Sequence, residues 1–221
     1  ALRIMTLAQY VADGILTEAQ AAFLRQAVRE RLNIMVAGGT STGKTTLANA
    51  LLDEIADTGD RVLILEDTVE LQYRSDDHVG MRSEPGVTTM ADLVRATLRL
   101  RPDRIVMGEV RGAEALELLK VWGTGHPGGI ATVHAGSAAG ALTRLEQLVQ
   151  EVSVTVPRAL IAEAVNVIVF IAGRGRARRV REIARVIGCD SQGYQLDTSL
   201  GPAFPSISSS PSPSSTSGEP S

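Results

Sequence analysis

Residues 38–45 read Gly38-Gly39-Thr40-Ser41-Thr42-Gly43-Lys44-Thr45, an unbroken match to G-x-x-x-x-G-K-[ST]. An apolar run, Ile34–Ala37, comes just before, and a helical pattern with Leu47, Leu51 and Ile55 follows. Strand, glycine-rich turn, helix is the context in which this pattern binds phosphate. The glycines let the chain turn tightly, so that successive N–H groups point at a β-phosphate. The helix adds the positive end of its dipole. Lys44 brings a mobile point charge to the β- and γ-phosphates, a role that a planar guanidinium does not fill. The cradle runs from Gly38 to Thr46, and the Thr45 hydroxyl is placed to ligate Mg²⁺.

Outward from this loop, short apolar runs alternate with helical patterns. Val62–Leu65, Ile105–Met107 and Ile130–Val133 read as strands. Met90–Leu100, Ala113–Trp122 and Ala138–Val149 read as helices. Pro157 starts a further helix through Glu163, Asn166–Ala172 is a β-branched strand, and Arg179–Val186 with Tyr194–Leu196 forms a hairpin. Strands apolar on both faces, alternating with helices, predict an α/β fold whose mainly parallel sheet is covered on both sides. Ahead of this core, Thr6 caps a short helix, and Thr17 with Gln20 starts a second. The division expected is 1–31 as the end of a preceding domain, 32–198 as the ATP-binding domain, and 199–221 as a tail. That tail holds five of the nine prolines and ten serines, so disorder is expected there.

A phosphate-binding loop needs acids on neighbouring strand ends to hold metal and prepare water. Ile105–Met107 runs into Gly108-Glu109, and Val62–Leu65 runs into Glu66-Asp67-Thr68-Val69-Glu70. Both lie where ligands sit in doubly wound sheets, beyond the carboxyl ends of the strands. Thr45, Glu109 and Glu66 are the oxygen donors expected around Mg²⁺. A third constellation, Gly125-His126-Pro127-Gly128-Gly129, leads through a strand to His134. His134 ends on the same rim and is placed to sense the γ-phosphate. Arg111 follows Glu109 by two residues, and Arg99 and Arg101 precede its strand. Six arginines between 174 and 185 form a basic face, open to acidic lipid or a protein partner.

Composition removes several classes. The chain has 221 residues, a net charge of −3 and 3% aromatics, so neither a general nucleic-acid binder nor a base-stacking platform is expected. One cysteine, Cys189, excludes an intrachain disulfide or a four-cysteine zinc site. No apolar run reaches the roughly 18 residues of a membrane span, and no signal peptide opens the chain, so a cytoplasmic location is expected. The chain begins at Ala1, which reads as a fragment.

The order GGTSTGKTTLANALL, VLILEDTVELQ, LRATLRLRPDRIVMGEVRGAEAL and GTGHPGGIATVHAGSAAGALTRLEQL resembles the traffic ATPases of type IV secretion and conjugative DNA transfer. The TrbB-type conjugal branch is the nearest in pattern. The resemblance implies a RecA-like ATPase domain, ATP and Mg²⁺ as ligands, and work as a ring, usually a hexamer. It also implies a peripheral position on the cytoplasmic face of the inner membrane, among other secretion proteins. It makes residues 38–45 the Walker A loop and Glu70 the water-activating base, supported by Glu66 and Asp67. Glu109 would act on Mg²⁺ and water, while His134 and Arg111 would sense nucleotide state. Type II secretion and pilus assembly or retraction ATPases share these motifs. Assembly members often insert a four-cysteine zinc module absent from this sequence, and RPDRIVMGEVRG and GHPGGIATVHA read closer to the conjugal branch. A non-hydrolysing, nucleotide-dependent scaffold is the reading of a different class, against which Lys44, Thr45, Glu70 and Glu109 stand intact. An arginine completing the site is expected from a neighbouring subunit, with Arg99, Arg101 and Arg111 as the candidates within this chain.

Overall fold

A computed structural model of the chain describes residues 4–74 and 76–200. Two helices come first, α1 (Leu7–Ala12) and α2 (Glu18–Arg29). Each opens on a capping box, Thr6 with Gln9 and Thr17 with Gln20, in which side chain and backbone satisfy each other's donors. The main alternation then runs β1 (Ile34–Gly38), α3 (Lys44–Ile55), β2 (Val62–Glu66), β3 (His78–Arg82), α4 (Met90–Thr97), β4 (Arg104–Val110), α5 (Glu114–Gly123), β5 (Ile130–His134) and α6 (Ala138–Gln150). The chain closes with α7 (Arg158–Ala164), β6 (Val167–Ala172), β7 (Arg179–Asp190) and β8 (Gly193–Asp197).

The eight strands form one sheet in the order β3-β2-β4-β5-β1-β6-β7-β8. Pairing is parallel from β3 through β6 and antiparallel across β6-β7-β8. The four strands expected side by side are neighbours, as β2-β4-β5-β1. Successive side chains of a strand face opposite ways. In β1, Ile34 and Val36 therefore join one apolar layer and Met35 and Ala37 the other. The first layer holds α1, α2 and α3 through Leu7, Tyr10, Leu24, Leu47 and Leu51. The second holds α4 to α7 through Leu93, Leu118, Leu145 and Ile161. The first two helices thus share a core with the phosphate-loop strand. Leu200 packs on that layer as well, while residues 201–221 of the expected tail lie outside the described residues.

A buried ion pair fastens the amino-terminal rim of the sheet. Arg104, 2% exposed, donates from Nε to Asp60 Oδ2 at 2.6 Å and from Nη1 to the Val28 and Gly128 carbonyls. Arg31 donates to the other Asp60 oxygen at 2.5 Å. One cluster therefore joins α2, the turn before β2, β4 and the turn before β5. Burial disfavours the Asp60 carboxylate, but the hydrogen bonds from Arg104 and Thr58 and the charges of Arg104 and Arg31 together outweigh it and hold the group below its ordinary range.

One sequence expectation is corrected here and two are filled out. β3, which no apolar run announces, is a strand at the sheet edge with alternating exposure. Helix α4 ends at Thr97, short of Leu100. Arg99 and Arg101 sit before β4, on the rim opposite the phosphate loop, and so cannot reach that loop within one chain.

Candidate functional site

The loop after β1 is built for an anion. Gly38, the last residue of β1, lies so close to β6 that a Cβ there would fall 2.6 Å from the Ile171 carbonyl oxygen. Gly43 caps α3 with φ of 94°, a left-handed conformation that a side chain strains. α3 has no side-chain cap and no acid in its first turn. Helices α1, α2, α4 and α6, by contrast, are capped by Thr6, Thr17, Thr89 and Ser137. Its leading N–H groups, from Lys44, Thr45 and Thr46, are thus left for a ligand, and a polyphosphate fits them.

The loop's side chains hold it closed on itself. Lys44 Nζ donates to the Gly39 carbonyl at 3.1 Å, and Thr42 Oγ1 donates to the same oxygen at 3.0 Å. Arg174 donates to the Thr40 carbonyl. Ser41 holds a left-handed φ of 62° without being glycine. Burial lowers the Lys44 pKa, opposed by the charges of Glu109 and Glu70 and reinforced by that of Arg111. The ammonium therefore senses three groups drawn from β4 and from the turn after β2.

Those groups are positioned by specific bonds. Glu66 is 7% exposed at the end of β2, and its Oε1 accepts the Glu70 and Leu71 amides at 2.9 and 2.7 Å. That folds the turn back and delivers Glu70 Oε2 to the Thr45 hydroxyl, which donates to it at 3.0 Å. Asn49, one helical turn after Thr45, clips the same turn to α3. It donates to the Glu70 carbonyl and accepts the Gln72 amide. A cleft of about 370 Å³ opens beside them, lined by Met5, Thr45, Thr46, Asn49, Glu70 and Gln72, among others.

Glu109 owes its place to an irregularity. Met107 faces Ala131 and Val110 faces Val133, so Gly108 and Glu109 together oppose Thr132 alone. This bulge re-aims the carboxylate at the rim, and Thr132 Oγ1 donates to the Gly108 carbonyl at 2.6 Å to hold it. Arg111 donates to Glu109 Oε2 at 2.7 Å from Nε and to Asp67 Oδ2 at 3.3 Å from Nη1. Its hydrogen bond and charge contact with Glu109 raise the guanidinium pKa further. The Arg111 and Gly112 amides both bind Glu114 Oε1, at 2.7 and 2.9 Å.

His134, at the exposed end of β5, pairs in register with Gly38 and so stands beside the first glycine of the loop. His126 accompanies Pro102 on the opposite rim. Lys44, Thr45, Glu66, Glu70, Glu109, Arg111 and His134 thus share one rim, and their oxygen donors, a hydroxyl and carboxylates, suit a hard cation such as Mg²⁺. Sequence reasoning missed Asn49, Glu114 and Arg174. Asn49 carried a signal, being four residues from Thr45 on one helix face.

Known proteins bear the same pattern. The family described as Type II/IV secretion system protein matches residues 2–192. A probable conjugal transfer protein TrbB of Sinorhizobium fredii is 50% identical over 200 residues, which cover 90% of this chain and 61% of that protein. The type IV secretion system protein PtlH of Bordetella pertussis is 38% identical over 177 residues, 73% of this chain and 52% of that one. Among solved structures, the VirB11 ATPase of the Brucella suis type IV secretion system, in complex with sulphate, superposes with a TM-score of 0.70. It is 34% identical, over 81% of this chain and 54% of that chain. The chain therefore spans about half to three-fifths of the length of these relatives.

Proposed function

The chain belongs to the type II/IV secretion system protein family, and from that premise we propose that it is the nucleotide-hydrolysing part of a motor for conjugative transfer or type IV secretion. One observation carries the reading of the site: the uncapped amino-terminus of α3 beside an ammonium that Glu109 and Glu70 both influence. A triphosphate is the ligand such a cradle takes.

The geometry supports the following roles. The amides of residues 43–46 receive the phosphates, and Lys44 exchanges the Gly39 carbonyl for a phosphate oxygen. Thr45 and Glu109 are the residues to hold Mg²⁺, which would neutralise charge on the β- and γ-phosphates. With Mg²⁺ bound, the Thr45 hydroxyl would hold it in place of its bond to Glu70. Glu70 Oε2 then accepts a proton from the attacking water. Glu66 acts by holding the turn that carries Glu70, since Oε1 is already taken by two amides. Arg111 fixes Glu109, and His134 reports on the γ-phosphate. The domain division at residues 31 and 198, the hexameric ring, the partners in the secretion apparatus and a peripheral place on the inner membrane belong to the same proposal. Among the described residues no helix is long and apolar enough to cross a membrane.

Steady-state ATP hydrolysis measured alongside size-exclusion chromatography tests it. Magnesium-dependent turnover that Lys44→Ala abolishes is expected. Nucleotide binding with no turnover at any protein concentration would favour the scaffold reading instead.

A further inference from the structure

The connection between β6 and β7 reaches back to the phosphate loop. A Cβ placed on Gly43 would fall 2.8 Å from Arg178 Cζ, 2.9 Å from Nε and 3.0 Å from Nη1. The guanidinium therefore rests against the glycine that opens α3. Its Nε is buried and has no hydrogen-bond partner among the described residues. No carboxylate pairs with Arg178 among those residues either. The buried Tyr10 of α1 is near enough to feel its charge, and the Tyr10 hydroxyl likewise has no hydrogen-bond partner among the described residues. Burial raises the Tyr10 pKa and the Arg178 charge opposes the shift, so the two groups sense each other. A neutral phenol does not balance a guanidinium. Buried donors of this kind are nearly always satisfied in working proteins.

An anion at the Gly43 turn supplies what is missing. In this type of loop the backbone amides cradle the α- and β-phosphates, while the lysine serves the β- and γ-phosphates. A guanidinium held against Gly43 is on the α/β side, and its planar fork matches phosphate oxygens. We propose that Arg178 is a phosphate ligand of the nucleotide site in cis, contacting the α/β part of the polyphosphate at the Gly43 turn. This rests on the nucleotide reading above and adds a residue far from the loop in sequence. It also gives Gly43 a second reason to lack a side chain, because any Cβ would displace the guanidinium. Because the contact is with phosphates common to ADP and ATP, it stabilises both equally, and the arginine needed for the γ-phosphate remains a separate one.

The test is titration of the full chain with ADP carrying a fluorescent ribose label, and competition by unlabelled ATP, with Lys44→Ala as control. Arg178→Met keeps the aliphatic stem and removes the charge. It is expected to weaken ADP and ATP alike, by about 10-fold for a lost charge-assisted contact, with an unchanged melting temperature. A folded Arg178→Met that binds ADP like the wild type overturns the assignment. A loss confined to ATP overturns it too, because it moves the guanidinium to the γ-phosphate. A wild-type chain that binds no ADP overturns the nucleotide reading and this assignment with it. Should the Met variant lose its fold, Arg178→Gln, polar, neutral and shorter, is measured under the same expectations.

Discussion

Lys44 and Glu109 separate binding from chemistry. Lys44 lies at the junction of an exposed loop and a helix, so Lys44→Ala opens no core cavity. Its ATPase rate is expected to fall about 100-fold or more, the scale for losing one preorganised charge contact, at unchanged melting temperature. Unaltered turnover would remove the loop from the mechanism. Glu109→Gln keeps shape and loses charge, so it should still bind ATP and hydrolyse little of it. Normal turnover at saturating ATP with weakened affinity would contradict that. Lys44 was plain in the sequence, since the eight-residue loop carries its own spacing, and Glu109 was legible as the acid that follows an apolar run. The bulge that aims Glu109 was not. It depends on how β4 and β5 register, which one strand's residues do not encode locally. Arg178 escaped for a similar reason: 135 positions separate it from Gly43, and only the parallel pairing of β1 with β6 brings them together.

Among the elements, the clamp at the amino-terminal rim makes the sharpest prediction. Asp60→Asn leaves the buried Arg104 guanidinium without its counter-charge, a loss of about 3 kcal/mol. For a chain of this size that corresponds to about 6–12 °C in melting temperature. The Asp60 carboxyl titrates below its ordinary range when folded. Its contribution is therefore complete above the unfolded value near pH 4 and is lost as pH falls through the lower folded value. Urea melts from pH 6 to pH 2 should show the wild type losing this stability while Asp60→Asn, already without it, has a flatter profile. Equal slopes would mean the pair contributes nothing. The elements themselves were mostly legible, because β1, β2, β4 and β5 are buried on both faces and read as uninterrupted apolar runs. β3 has one paired edge and alternating exposure over five residues, and such a strand declares itself only beside β2.

At the scale of the molecule, none of the three arginines named as candidates for the γ-phosphate is free at the loop. Arg111 is committed to Glu109 and Asp67, and Arg99 and Arg101 lie across the sheet. An arginine donated in trans is worth about 10³-fold or more in related phosphoryl transfers. Hydrolysis is then expected to rise faster than linearly with protein concentration, or to stay slow throughout if the donor lies in a part absent from this chain. Fast turnover by a strictly monomeric sample, followed by light scattering, would refute the interface scheme.

The strand order also sets a timetable. β1 is made early on the ribosome, yet its two neighbours are β5, from Ile130, and β6, from Val167. The phosphate loop at its end leans on Ile171. Until about five-sixths of the described residues have emerged, Ile34–Gly38 lacks its β6 neighbour, and every signature residue up to His134 can be present with no working cradle. The hairpins of β6, β7 and β8 pair near neighbours and can close quickly. Nascent chains halted just before Val167 should therefore fail to retain ADP, and chains released after β8 should acquire that ability in a single late step.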